Sequence, residues 1–207
     1  MKLLNSCIIQ AVPVNLMRIL LTIILLTCTA LAFAQAKPED GGHEFQVWTG
    51  GGHSVSGGLG GTGVWNVGGR FGWILTQPHG PGFLKGRFEY ALEATPLFLI
   101  FQPANTTYGA GFAPLNLKWI FATRGCLAPY IELSGGTLFT NHDVPTGTNS
   151  INFTPGASFG THILRNSYDW TIEARYMHIS NAGLATPNPG INTFQVRLGI
   201  GKFFGSK

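Results

Sequence analysis

The sequence predicts an all-β fold, an eight-stranded antiparallel β-barrel of the outer-membrane type. Three observations carry this. Beyond an apolar leader, no run approaches the length of a membrane-spanning helix, the longest being about 96–101. Only 11% of the 207 residues are charged, whereas 12% are aromatic and 29 are glycine. An exported chain so apolar, without spanning helices, fits a closed barrel better than a soluble domain. Finally, short segments with period-two alternation recur between Gly/Pro/Asn-rich breaks, with no helical periodicity.

Residues 1–34 read as a signal peptide. Lys2 and Arg18 supply positive charge, Ile19 to Leu31 is apolar apart from Thr and Cys, and Ala32-Phe33-Ala34 is an A-x-A cleavage site. Met17 is an alternative start, because Met17-Arg18 and the run after it form a complete signal. Residues 35–43 are a short polar linker, and 44–207 form a single barrel domain. The eight strands are expected at 44–51, 62–76, 83–101, 108–123, 127–141, 151–164, 168–180 and 192–204. The connections after strands two, four and six are short. Those after strands one, five and seven are longer, and the Gly-rich stretch Gly50–Gly61 reads as a mobile loop. Outer-membrane barrels have short periplasmic turns and longer external loops. With the N-terminus inside, strand seven runs outward and ends at the outer leaflet.

Charge and cysteine usage exclude other classes. Loss of residues 1–34 removes Lys2 and Arg18 from 13 basic residues, leaving 11 against 9 acidic ones, a net charge of +2. No basic cluster with interleaved aromatics remains, so nucleic acid is not an expected partner. Cys126 alone survives the leader, which precludes an internal disulfide and disfavours a structural zinc site. His43, His53, His142 and His162 show no metal-ligand pairing, and no cofactor is expected. Trp48, Trp65, Trp73, Trp119 and Trp170 read as interface-belt or wall residues.

Parity assigns the faces. In the last strand Phe194, Val196, Leu198 and Ile200 alternate with Gln195, Arg197, Gly199 and Gly201, so the apolar set should face lipid and the other the lumen. In strand seven Trp170, Ile172, Ala174 and Tyr176 share one face, and Thr171, Glu173 and Arg175 the other. Charge belongs in the lumen. Continuing by twos puts His178 and Ser180 on the lipid-facing side, near the membrane interface. Asn192, on the Phe194 face of the neighbouring strand, can lie beside them. A histidine two residues before a serine on a strand places both side chains on one face, where an imidazole can take a hydroxyl proton. Asn181 and Gly183 follow, where oxyanion donors could lie.

These residues carry a resemblance. His178-Ile179-Ser180-Asn181-Ala182-Gly183, then Asn188-Pro189-Gly190-Ile191-Asn192, resembles the lipid A 3-O-deacylase (PagL-type acyloxyacyl hydrolase) family. The upstream Asn152-Phe153-Thr154-Pro155-Gly156-Ala157-Ser158-Phe159-Gly160 also resembles it. The likeness spans most of the chain beyond the leader and is strongest from about residue 150. It implies an outer-membrane serine esterase that removes the ester-linked 3-hydroxyacyl chain at position 3 of lipid A. Ser180 would be the nucleophile and His178 the general base. Asn181 and Gly183 would help form the oxyanion hole, and Asn188 would belong to the same loop. The partners implied are lipopolysaccharide and outer-membrane lipid, and a homo-oligomer is compatible with them.

The chain departs from the family at Asn192, where the triad acid is a glutamate. An amide can hold the imidazole tautomer but supplies no charge, and an acid-to-amide change in a serine triad can cost roughly 10⁴-fold. Glu173 is expected in the lumen, and Asp143 could reach the site only if its loop folds over. Two other readings are a non-catalytic barrel, structural or lipid-binding, and a soluble lipid-binding barrel with inverted parity and an apolar interior.

Overall fold

The computed structural model describes residues 38, 42–165 and 167–205. The expected signal peptide, and all of the 35–43 linker except residues 38, 42 and 43, lie outside these residues. Nine strand segments are present: β1 (His43–Val55), β2 (Gly63–Ile74), β3 (Gly86–Phe101), β4 (Thr106–Phe121), β5 (Leu127–Thr140), β6 (Ile151–Phe153), β7 (Gly156–Arg165), β8 (Tyr168–Ile179) and β9 (Ile191–Phe204). β6 and β7 both pair with β5 and together make one stave. The break falls at Thr154-Pro155, where proline has no N–H to give to the ladder. Eight antiparallel staves result, each paired with its neighbour in sequence. β9 returns to β1 along His43↔Phe204 to Val55↔Asn192, closing the barrel. Closure leaves no backbone edge to satisfy within a membrane.

Several expected boundaries shift for identifiable reasons. β1 does not stop at residue 51. The segment taken as the start of a mobile loop pairs with both β2 and β9 as far as His53 and Val55. Gly52 is glycine because the β9 backbone passes so close that a Cβ would collide with the Phe194 carbonyl. Residues 83–85 are not in a strand, because Gly82–Leu84 form a 3-10 turn. The β2–β3 connection is therefore one of the longer ones, although it lies at the end of the barrel that carries the chain termini. Pro96 and Pro114 are absorbed as register shifts, between Thr95 and Phe98 and between Phe112 and Leu115.

The faces follow the parity argument. Trp170, Ile172, Tyr176, Phe194, Val196 and Leu198 are outward and exposed, whereas Glu173, Arg175 and Arg197 are buried in the lumen. This overturns the soluble barrel with an apolar interior. Trp48 is also corrected. It shares the inward face of Glu44 and Gln46, is only 5% exposed, and lies 3.6 Å from the Arg197 guanidinium as a cation–π pair.

The lumen is packed in layers. Val64, Phe98, Ile100, Leu138, Met177, Ile179 and Ile191 cluster towards the end opposite the termini. Ile74, Ile120, Tyr130, Leu164 and Phe203 cluster at the other. Between them runs a charged network. Arg70 contacts Glu44, Glu89 and Glu132 at 3.1, 2.9 and 2.5 Å. Arg175 contacts Glu132 and Glu173 at 2.7 and 2.8 Å, and Arg197 contacts Glu93 at 2.5 Å. Buried charges persist only when paired and hydrogen-bonded, and antiparallel strands bring such partners together from distant parts of the chain.

Candidate active site

At the end of the barrel opposite the termini, β8 and β9 set His178 directly across from Asn192 in the ladder. Their neighbours Met177, Ile179 and Ile191 enter the apolar lumen cluster, so His178 and Asn192 point outward. His178 Nδ1 lies 2.6 Å from Asn192 Oδ1. The other edge of the imidazole passes Gly190, where a Cβ would sit 2.6 Å from Cε1 and 3.2 Å from Nε2. With φ of +65°, Gly190 also adopts a backbone conformation unsuited to other residues. One ring nitrogen is thus engaged by Asn192, while on the Nε2 edge the absence of a side chain at Gly190 leaves room.

Ser180 follows Ile179, the last residue of β8, on the same side as His178. Its backbone is bridged to Phe153 of β6, N–H to carbonyl in both directions, at 3.2 and 2.7 Å. The N–H of His178 donates to the Pro155 carbonyl at 2.9 Å. The break between β6 and β7 therefore accommodates the backbone of the His178–Ser180 pair. Ser180 is 8% and Asn192 6% exposed, although both lie on the outward wall. The cover over Asn192 comes from the β1–β2 connection. Asn192 Nδ2 donates to the Ser56 carbonyl at 3.3 Å.

After Ser180 the chain reverses through Ala182 and Gly183, with φ of 52° and 84°. Asn181 N–H donates to Asn188 Oδ1 at 3.1 Å, and Gly183 N–H to Asn181 Oδ1 at 2.8 Å. Both amides expected as oxyanion donors are committed within the loop in this structure. They shape it, and Asn188 is drawn in by its oxygen.

Below the site, on the same outward wall, a groove of about 650 Å³ is lined by Leu133, Ala157, Phe159, Ala174, Tyr176 and Phe194, among others. Ala174 and Tyr176 are four and two residues before His178 on the same face, which at roughly 3.3 Å per residue places the groove within an acyl chain's length of the imidazole.

Residues 47–201 match the family described as Lipid A 3-O-deacylase (PagL). The chain belongs to that family. The barrel also superimposes on the outer membrane enzyme PagL, with a TM-score of 0.56 and 20% identity over 74% of this chain and 97% of that one. The outer membrane protein OprG from Pseudomonas aeruginosa gives a TM-score of 0.51 at 12% identity, over 82% of this chain and 98% of the other. The N-terminal β-barrel domain of Pseudomonas aeruginosa OprF gives 0.50 at 14%, over 81% and 100%. No curated protein sequence matches the chain. At these identities the structural matches speak to fold, and this PagL-family member is an outer-membrane barrel.

Elsewhere the structure places residues that the sequence left apart. Glu44, His162 and Asp169 bring ligand-capable atoms within 4.8 Å of one another in the lumen. His162 therefore does have acidic neighbours, contrary to the sequence reading, and its Nδ1 lies 2.7 Å from Asp169. The ammonium of Lys118, 3.0 Å from Glu44 and 3.5 Å from His162 Nε2, already supplies the positive charge there. Asp143 is exposed in the β5–β6 loop, where its carbonyl accepts from Gln102. Glu173 is held in the lumen by Arg175, as parity required. The residue missed entirely is Ser56, because it acts through a backbone carbonyl and no side-chain pattern announces it.

Proposed function

We propose that this protein is a serine esterase that removes the ester-linked 3-hydroxyacyl chain at position 3 of lipid A. The observation that carries the reading is the outward-facing His178–Asn192 pair, bonded at 2.6 Å and next to Ser180 on the same wall. A site on the outside of a barrel meets its substrate side-on, in the plane of the membrane. Strand direction from a periplasmic N-terminus puts it at the outer leaflet, where lipid A lies. The groove beneath it suits the released chain.

His178 Nε2 takes the proton from Ser180 Oγ as the oxygen attacks the ester carbonyl. Negative charge develops on the carbonyl oxygen. We assign Asn188 to meet it: its oxygen already accepts from the Asn181 N–H, so its NH2 group is the end that would donate. One such donor is worth about 3–4 kcal/mol of barrier. The intermediate collapses, the sugar 3-oxygen leaves with the proton from His178, and the acyl group remains on Ser180. Water, deprotonated by His178, then releases the free 3-hydroxy acid. Gly183 N–H can join the oxyanion donors only by releasing Asn181 Oδ1. Asn192 holds the ring in place without charge, so the rate should fall below that of a site with a full carboxylate.

The test is to incubate the purified, detergent-folded protein with lipid A and weigh the product by mass spectrometry. Loss of one 3-hydroxyacyl mass with the wild type and none with Ser180→Ala is expected. No mass loss with the wild type, or equal loss with Ser180→Ala, would leave a non-catalytic barrel.

A further inference from the structure

We propose that residues 56–58 of the β1–β2 connection are a further part of the site, a positioning segment that fixes the amide of Asn192 and, through it, the tautomer of His178. In its activity arm the inference rests on the esterase reading above. Its spectroscopic arm does not.

A triad carboxylate needs no orienting, since both of its oxygens accept hydrogen bonds. An amide has two unlike ends. Were Asn192 flipped, its NH2 group would face Nδ1 and drive the imidazole proton to Nε2, which would remove the base. Something must therefore tell the two ends apart. The Ser56 carbonyl does so, because it can only accept, and it lies 3.3 Å from Asn192 Nδ2. Asn192 Oδ1 must then face the ring at 2.6 Å, Nδ1 must carry the hydrogen, and Nε2 keeps its lone pair free to act as the base.

The connection is built for this close approach. Val55 pairs with Asn192 in the closing ladder, which delivers Ser56 to the amide. Leu59 N–H donates to the Gly190 carbonyl at 2.9 Å, and Ser54 N–H to the Thr62 carbonyl at 2.7 Å. At Gly57, with φ of +95°, a Cβ would come within 2.8 Å of Asn192 Nδ2. At Gly58 it would come within 2.9 Å of the Gly190 carbonyl. An aspartate at 192 would turn a carboxylate oxygen onto the Ser56 carbonyl oxygen. The site is thus matched to an amide and is not an acid site that has lost its charge.

The test combines two readouts on detergent-folded protein. Side-chain ¹⁵N resonances of labelled histidine should show wild-type His178 with its proton on Nδ1. Gly57→Ala and Asn192→Ala should shift population towards Nε2. In lipid A hydrolysis, Gly57→Ala should lower kcat about tenfold with KM unchanged, the equivalent of one hydrogen bond. The same change made on top of Asn192→Ala should cost nothing more. Gly60→Ala, where a Cβ meets nothing within 4 Å, is the control for loop substitution and should match the wild type. Asn192→Asp should not exceed wild-type activity. An unmoved tautomer in both alanine variants, additive costs in the double variant, or a gain with Asn192→Asp would overturn the proposal. If no protein hydrolyses lipid A while the tautomer shifts as stated, the positioning role stands and the esterase reading falls.

Discussion

Replacing Arg70 by methionine should destabilise the barrel more than the same change at Arg175, although both guanidiniums are buried and both serve several carboxylates. Without Arg70, Glu44 still has Lys118 at 3.0 Å and Glu132 still has Arg175 at 2.7 Å. Among the described residues, the one cation left to Glu89 is Lys118, at 3.7 Å, and one of its oxygens already lacks a hydrogen-bond partner. A buried carboxylate is thereby stranded, and breaking such a pair costs about 3–5 kcal/mol. Without Arg175, Glu132 keeps Arg70, Glu93 keeps Arg197 at 2.5 Å, and Glu173 keeps the Tyr130 hydroxyl at 2.9 Å. Each of these carboxylates keeps a partner within 3 Å, so the cost should sit at or below the lower bound, about 2–3 kcal/mol. Urea unfolding of the micelle-folded protein, followed by tryptophan fluorescence, reads the difference. At a slope of about 2 kcal/mol per molar, the Arg70→Met midpoint should fall roughly 2 M and that of Arg175→Met about 1 M. Adding Glu89→Gln to Arg70→Met should recover part of the loss, since it removes the stranded charge. Equal midpoints for the two methionine variants, with no rescue, would refute the argument and mean that water replaces the missing partners.

Other outcomes follow from the same geometry. Gly52→Ala should disrupt the β1–β9 seam and reduce the fraction that migrates as folded barrel on unheated gels, because its Cβ meets the Phe194 carbonyl. Phe159→Lys, on the outward wall, should cost up to about 2–4 kcal/mol when refolding is measured in lipid bilayers, depending on its depth. Trp48→Leu should cost about 0.5–2 kcal/mol in the urea assay by removing the ring over Arg197, with lipid A hydrolysis unchanged.

Much of this was legible in the sequence because a barrel wall has a period of two. Trp170 to Tyr176 and Phe194 to Ile200 declare their faces by alternation. The same count carried two steps further puts His178, Ser180 and Asn192 on one side of the wall. The rest was hidden where glycine or proline has two readings. Gly50-Gly51-Gly52 has no side chains to alternate, so a strand pressed against β9 reads as a loop. Pro155 marks a break within a stave, which alternation on either side cannot reveal. The acidic neighbours of His162 are hidden for another reason. Glu44 lies more than a hundred residues away in sequence, and only closure of the barrel brings it near.

The packed lumen has a consequence for the membrane that holds it. Between the apolar layer and the charges below it, a cavity of only about 20 Å³ lies among Glu93, Phe98, Arg175 and Met177, room for about one water. Side chains fill the lumen at this level, so many copies should be able to stand in the outer membrane without raising its permeability to small solutes. In the proposed esterase mechanism, the water that resolves the acyl-enzyme then arrives from the headgroup side and not through the protein. Turnover then depends on how well hydrated the lipid surface is around each barrel, so agents that dry or order the headgroups should slow deacylation while the fold stays intact.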